Sequence, residues 1–329
     1  QIFNRIRYKM HRQQEFEGKK YYCTVSAGYA AFPEDGSQYL ELVKCANYSL
    51  EHSKLLGKDR ITCFSPDILP EKERRLELME LLRESIEHGF AGFSVAYQPQ
   101  VEAATGKLFG AEALARWTCG KYGSISPGEF IPVFERNGFI LKLDQYVWEK
   151  TCKLLAKWRD EGRKIFPVSV NISRVSLYNP RIVEVISGLT EKYHIPPEWL
   201  QLELTESAYT ANPKAIKEMM EQLQKKGFSI LMDDFGSGYS SLNVLKDIAV
   251  DVLKIDMKFL DGSADDGRSE NILASVVRMA KWLNMPVVAE GVERIEQVEF
   301  LRSIGWEYVQ GYYFAKPMPV EEYEKLQFD

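Results

Sequence analysis

Histidine is scarce in this chain, four in 329 residues, and the five cysteines (Cys23, Cys45, Cys63, Cys119, Cys152) include no Cys-x-x-Cys pair. An odd, dispersed set of thiols argues against a disulfide-stapled secreted domain and for a reducing, cytoplasmic setting. No apolar run approaches the roughly 20 residues of a membrane helix, and nothing reads as a signal peptide. Excess positive charge is missing too. A net charge of −5 argues against a general binder of DNA or RNA polymers. It leaves room for a small anionic ligand held by metals and one or two cations. What is present, 45% hydrophobic and 27% charged residues, describes a globular protein long enough for more than one domain. The chain begins with Gln rather than Met, which points to a piece of something longer.

One stretch organises the rest: Phe228 to Leu242, Phe-Ser-Ile-Leu-Met-Asp-Asp-Phe-Gly-Ser-Gly-Tyr-Ser-Ser-Leu. Phe228 to Met232 is a short apolar run of the kind that forms a buried strand. It ends in two carboxylates, Asp233 and Asp234, followed by Gly236 and Gly238. Neighbouring strand residues point to opposite faces, so both acids can serve one site only if the strand stops between them. The Asp-Phe-Gly within it is shared with protein kinases, but no Val-Ala-Ile-Lys strand or His-Arg-Asp stretch accompanies it.

Taken in order, Arg5 to Phe16 reads as the end of a helix, Tyr21 to Ala31 as a strand, Leu40 to Leu55 as a helix and Arg60 to Phe64 as a closing strand. Residues 66–74 read as a linker bearing Pro70, and a charged helix runs to His88. From there strands alternate with helices: Phe93 to Val101, Leu108 to Trp117, Pro167 to Ile172, Leu200 to Thr205, the Phe228 strand, Val252 to Asp256, Pro286 to Glu290 and Tyr308 to Gln310. Alternation of this kind implies a mostly parallel sheet, and eight strands imply an α/β fold of the (β/α)8 barrel type over residues 75–329, preceded by a small α+β fragment over 1–65. The first two strands, joined by a short loop, form a hairpin, so one strand is antiparallel.

In such a barrel the C-terminal strand ends converge on one mouth. Those positions carry Glu112 and Arg116, Asn171, Glu203 and Glu206, Asp233 and Asp234, Lys254 and Asp256, Glu290 and Glu293, and Gln310. A single buried Glu is ordinarily a satisfied structural acid. Acids or amides on seven strands repel unless the pocket holds cations. Carboxylate and amide oxygens without imidazole or thiolate suit Mg²⁺ or Mn²⁺, and the acids suffice for two ions, the arrangement used for displacement at phosphorus. Lys254 then either orients or deprotonates the attacking water or merely balances its acidic neighbours.

Several motifs carry a resemblance. Thr24-Val-Ser-Ala-Gly-Tyr, Pro33-Glu-Asp-Gly and Ala46-Asn-Tyr-Ser-Leu-Glu-His-Ser-Lys-Leu-Leu-Gly-Lys-Asp-Arg resemble the second half of a GGDEF, or diguanylate cyclase, domain, although the Gly-Gly-Asp-Glu-Phe signature is absent. Glu112-Ala-Leu-Ala-Arg-Trp resembles the signature of the EAL family of cyclic di-GMP phosphodiesterases. Tyr97-Gln-Pro, Val170-Asn-Ile-Ser, Leu202-Glu-Leu-Thr-Glu-Ser, Asp233-Asp-Phe-Gly-Ser-Gly, Leu253-Lys-Ile-Asp, Ala289-Glu-Gly-Val-Glu and Gln310-Gly-Tyr-Tyr-Phe follow it in register. The resemblance implies that Glu112, Asn171, Glu203 and Asp233 hold one metal ion, and that Asp233, Asp234 and Glu290 hold a second. It implies that Lys254 contacts the nucleophilic water, that Glu206 fastens the loop after the fifth strand, and that Gln98, Leu114 and Arg116 contact substrate. Asp256, Glu293 and Gln310 support the substrate side of the site. The implied reaction is attack of a metal-bound hydroxide on cyclic di-GMP to give linear pGpG. Homodimerisation through the loop after the fifth strand, and a sensor or GGDEF portion before Gln1, are implied as well. A non-catalytic cyclic di-GMP receptor is the competing expectation. Thr118-Cys119-Gly120 and Phe134 depart from the family's usual residues at positions that hold no metal.

Overall fold

The computed structural model describes residues 2–10, 14–16, 19–21, 23–66, 68–235, 250–257 and 268–326. They fall into two units, Gln1–His88 and Gly89–Asp329. The first begins with helix α1 (Ile2–Met10), then two short antiparallel strands, β1 (Gln14–Phe16) and β2 (Lys19–Tyr21). The expected helix to Phe16 therefore stops at Met10. Likewise the single strand expected over Tyr21 to Ala31 is two pieces, β2 and β3 (Ala27–Tyr29). Strand β3 pairs in parallel with β4 (Ile61–Cys63), and helix α2 (Tyr39–Leu55) makes the crossover between them. Gly28 permits the close approach of α2, since a Cβ there would sit 2.1 Å from the Leu50 nitrogen. Ser53 on α2 is buried and donates to the Ala27 carbonyl at 2.7 Å, tying the helix to β3.

Helix α3 (Ile68–Glu87) corrects the expected linker. Residues 68–74 of the segment 66–74 are its first turns, and the two units divide after His88 rather than near residue 75. Pro70 reads as a break in sequence, yet a proline is tolerated in the first turn of a helix, where backbone N–H groups have no intrahelical acceptor. Among the described residues no helix is long and apolar enough to cross a membrane.

In the second unit, eight strands close on themselves: β5 (Phe93–Glu102), β6 (Leu108–Cys119), β8 (Val168–Asn171), β9 (Leu200–Thr205), β10 (Ile230–Asp233), β11 (Val252–Asp256), β12 (Val287–Glu290) and β13 (Tyr308–Val309). Pairing runs around the ring in that order and returns from β13 to β5. β5 is antiparallel to both neighbours, while the other barrel strands run parallel. A ninth strand, β7 (Gly123–Ile125), pairs with the extended end of β6, which carries that strand on to Cys119, two residues past its expected end. The α/β barrel with one antiparallel strand is thus the observed architecture.

The sheet's two faces are filled differently. Outward-facing residues such as Val168, Val170, Leu202, Ile230, Met232, Leu253 and Ile255 join one large core with the surrounding helices. After helix α4 (Pro127–Arg136), helix α5 (Ile140–Asp160) supplies Trp148, Cys152, Leu155 and Trp158 to it, at helical spacing. Inside the barrel a separate cluster of Leu231, Val252 and Val288, with Tyr308 against it, fills the lower layer. Phe109 stacks on Tyr308 at a ring separation of 3.7 Å, and it is the residue left over where the β5–β6 register shifts. Because side chains alternate along a strand, each residue two positions above this layer also faces inward.

Candidate active site

Those next positions are polar on every strand. Lys254 lies two residues above Val252, Asp233 two above Leu231, Glu290 two above Val288, and Gln310 two above Tyr308. Glu112, Asn171, Glu203 and Gln98 complete the set from β6, β8, β9 and β5, so each strand or strand end sends one side chain to a single ring. The Lys254 ammonium, fully buried, sits at its centre. Its Nζ is 2.7 Å from Glu203 Oε2, 3.2 Å from Glu112 Oε2, 2.5 Å from Glu290 Oε1 and 4.0 Å from Asp233 Oδ1. Asn171 Nδ2 donates to Glu112 Oε1 at 2.9 Å, and Gln310 Nε2 donates to Glu112 Oε2 at 2.6 Å and to Gln98 Oε1 at 3.1 Å.

One ammonium cannot balance four carboxylates away from water. Burial opposes charge on Glu112, but Lys254 and the donors Gln310 and Asn171 outweigh it and hold that carboxyl below its usual range. Glu203 goes the other way: burial, with Glu112 and Asp233 nearby, pushes it up to about 8. Burial raises Glu290 as well. For Lys254, burial favours the neutral amine, yet the surrounding carboxylates win and the group stays an ammonium. A protonated Lys254 is a donor and a positive charge. In that state it can orient a water or a phosphate oxygen.

Local structure fixes the ring's members. Trp148 Nε1 on α5 donates to the Asn171 carbonyl at 3.0 Å, and the Ile172 N–H donates to the Glu203 carbonyl at 2.8 Å, which ties the ends of β8 and β9 together. Asp144, also on α5, accepts from Ser173 N at 3.0 Å and Ser176 Oγ at 2.6 Å, anchoring the short helix α6 (Arg174–Leu177) just beyond Asn171. After Asp233 the strand stops. Asp234 adopts φ +54°, a left-handed conformation that short polar side chains tolerate, and the Phe235 N–H returns to the Lys254 carbonyl at 3.2 Å. Strand geometry thus breaks between the two aspartates, as their joint use requires. The remainder of the loop, including Gly236, Gly238, Tyr239 and Leu242, lies outside the described residues.

The other expected residues take separate places. Leu114 and Arg116 lie two and four residues above Glu112 on the same face of β6, both half-buried. Arg116 Nη1 donates to the Ala115 carbonyl at 2.8 Å. Asp256 is the next inward position above Lys254, and its Oδ1 lies 3.3 Å from where a Cβ on Gly291 would stand. Glu206 is buried as the first residue of the helix Glu206–Ala211, outside the Lys254 ring. Glu293 is exposed, three residues beyond Glu290. One buried member was not singled out in the sequence: Gln100, whose Nε2 donates to Gln310 Oε1 at 2.9 Å. Its signal was there, because it lies two residues from Gln98 on the same strand face.

Divalent cations suit this donor set. Every acidic or amide donor is a hard oxygen, Glu203 Oε1 is buried with no hydrogen-bond partner, and the carboxylates outnumber the ammonium. Among the described residues no three acidic, histidine or cysteine side chains are grouped to close round an ion; the acids turn to Lys254 instead.

The chain is similar to known proteins over most of the barrel unit. The pattern described as EAL domain matches residues 79–317. The chain is 33% identical over 299 residues to the bifunctional diguanylate cyclase/cyclic di-GMP phosphodiesterase MucR of Pseudomonas aeruginosa, covering 91% of this chain and 43% of that protein. It is 33% identical over 325 residues to the cyclic di-GMP phosphodiesterase NbdA of the same organism, covering 99% and 41%. The chain thus spans about two fifths of these relatives' length. A solved structure of the PaMucR phosphodiesterase in complex with c-di-GMP superposes with a TM-score of 0.71 at 35% identity, covering 75% of this chain and 99% of that one.

Proposed function

The chain belongs to the EAL domain family, and on that premise we propose that its barrel hydrolyses cyclic di-GMP to linear pGpG with the help of Mg²⁺ or Mn²⁺. The observation that carries the reading is the ring itself: one polar side chain from each barrel strand, with four carboxylates around a buried ammonium. Relatives named as cyclic di-GMP phosphodiesterases and a related solved complex with c-di-GMP support the choice of substrate.

Glu112, Asn171, Glu203 and Asp233 would hold one ion, and Asp233, Asp234 and Glu290 a second. When bound, such ions neutralise the acids, polarise a phosphoryl oxygen and lower the pKa of water. The chain's own groups do the rest. Arg116 presents a planar fork to a phosphate. Leu114 and Gln98 offer an apolar and a polar contact to the nucleotide. Asp256, Glu293 and Gln310 support the substrate side. Lys254 directs its N–H bonds toward the oxygens at the reacting centre and keeps the acids in place. Water adds to one phosphorus, the 3′-oxygen leaves with a proton, and the ring opens to pGpG. Glu206 fastens the loop after the fifth strand, through which two barrels pair as a homodimer.

The first unit is the second half of a GGDEF-like domain, without its signature. Its parallel β3–α2–β4 unit supports this, as does the 299-residue match to a bifunctional relative, longer than the barrel unit. An upstream sensor or cyclase portion and a cytoplasmic location complete the proposal.

The test is direct. Incubated with cyclic di-GMP and Mg²⁺ or Mn²⁺, the protein should release pGpG, and EDTA should stop it. Tight binding of cyclic di-GMP without pGpG would replace the enzyme with a receptor.

A further inference from the structure

We propose that Gln100 is a positioning residue: it fixes which end of the Gln310 amide faces Glu112, and so holds the Glu112 carboxylate in its working orientation. The kinetic expectations below rest on the cyclic di-GMP reading. The spectroscopic one does not.

The three glutamines form a directed chain. Gln100 Nε2 donates to Gln310 Oε1 at 2.9 Å, Gln310 Nε2 donates to Glu112 and Gln98, and Gln98 Nε2 donates to the Ala315 carbonyl at 3.2 Å. A side-chain amide is two-ended, one end donor and the other acceptor, and it can flip. Glu112 Oε2 accepts from Gln310 Nε2 at 2.6 Å, and a carboxylate offers only acceptors. The end of Gln310 facing it must therefore be the NH₂ group, and the opposite end must be the oxygen. That oxygen is buried and needs a donor.

Gln100 is the donor. It is fully enclosed, and its position on β5 directly opposite Gly110 explains the space it occupies. A Cβ on Gly110 would lie 3.2 Å from Gln100 Oε1 and 2.9 Å from the Pro167 carbonyl. Without Gln100 the buried Gln310 oxygen loses its donor, and the balance shifts toward the flipped orientation that leaves Glu112 and Gln98 without theirs. The flipped form sets an oxygen against Glu112, so the carboxylate turns away from the direction in which Asn171 and Lys254 receive it.

Two nearly isosteric variants separate this role from simple filling of space. Gln100→Met removes the donor and keeps the volume. Gln100→Glu replaces the donor with an acceptor and favours the flipped Gln310. For the first, kcat should fall roughly 10–100-fold, as for other groups that orient a metal-binding side chain, with KM within about twofold. Gln100→Glu should lose more. With glutamine ¹⁵N-labelled in the full chain, and the Gln310 signal assigned by its loss in Gln310→Met, the Gln310 NH₂ protons should be protected from solvent exchange. That protection should be lost in Gln100→Met.

Wild-type kcat and retained protection in Gln100→Met would overturn the assignment, as would an unprotected Gln310 amide in the unmodified protein. The latter measurement stands even if a variant fails to fold. If the unmodified protein turns over no cyclic di-GMP, the hydrolase reading falls, and the exchange measurement still decides the role of Gln100.

Discussion

At the scale of single residues, the site's stability depends on charge balance more than on packing. Lys254 is fully buried among four carboxylates. Removing one partner of a buried ionic cluster leaves the others uncompensated, at a cost of about 3–5 kcal/mol. Lys254→Met should therefore lower the unfolding free energy of the metal-free protein by that amount in urea titrations, and added Mn²⁺ should restore much of it. A variant as stable as the parent without metal would mean that protons alone neutralise the ring. Asp144 makes a different prediction. Burial raises its carboxyl from the ordinary aspartate range to about 6, despite its bonds to Ser173 and Ser176. A raised acid binds its proton more tightly when folded, so its contribution is full below about pH 4 and is lost as pH rises through 6. Asp144→Asn keeps an acceptor oxygen and removes the charge. Relative to the parent it should gain stability between pH 4.5 and 7.5, reaching about 3 kcal/mol. Parallel pH profiles of unfolding free energy for the two proteins would contradict this.

At the scale of elements, the turn that carries Gln310 is packed backbone on backbone. A Cβ on Gly311 would lie 2.1 Å from the Val292 carbonyl oxygen, closer than any real contact, and the Val292 N–H bonds the Gln310 carbonyl at 3.2 Å. Gly311→Ala must push these segments apart. A loss of about 1–3 kcal/mol, typical of overpacking, should appear in thermal unfolding, together with reduced turnover because Gln310 moves. An unchanged melting temperature would show that the turn yields at no cost. Elements of this kind also show what the sequence could reveal. The barrel strands were legible because apolar runs end in polar residues, and period-two alternation then places those residues on one face. The hairpin Gln14–Phe16 with Lys19–Tyr21 was not. Its strands are three residues each, too short for an alternation to register, so Gln14–Phe16 reads as the tail of a helix and Tyr21 as the start of the next strand. Pro70 misled in the opposite direction, since one proline marks a linker and a first helical turn equally well. Gln100 was passed over because alternation places it on the Gln98 face but does not name its partner, a residue 210 positions away.

At the scale of the whole molecule, an acidic ring of this kind should make the stability of the fold depend on divalent cations. Mg²⁺ or Mn²⁺ at about a hundredfold excess over its dissociation constant should add about 2.7 kcal/mol, visible as a rise in melting temperature that EDTA reverses. Mg²⁺ and Mn²⁺ concentrations that leave the melting temperature unmoved at every level would argue that the barrel mouth takes no ion. A last consequence follows from the reversed first strand. In a barrel of eight parallel strands the polypeptide would enter at the closed end, opposite the mouth. Here β5 runs against its neighbours, so Phe93 pairs with Trp117 and Ser94 with Arg116 at the open end. The chain thus enters the barrel beside Arg116, and the residues just before Phe93 are fixed at that rim, where the Thr118 N–H donates to the Gly92 carbonyl at 2.9 Å and Phe90 stacks on Tyr146. A side chain at Gly92, whose Cβ would stand 2.3 Å from the Thr118 carbonyl oxygen, is therefore expected to disturb the Arg116 end of β6.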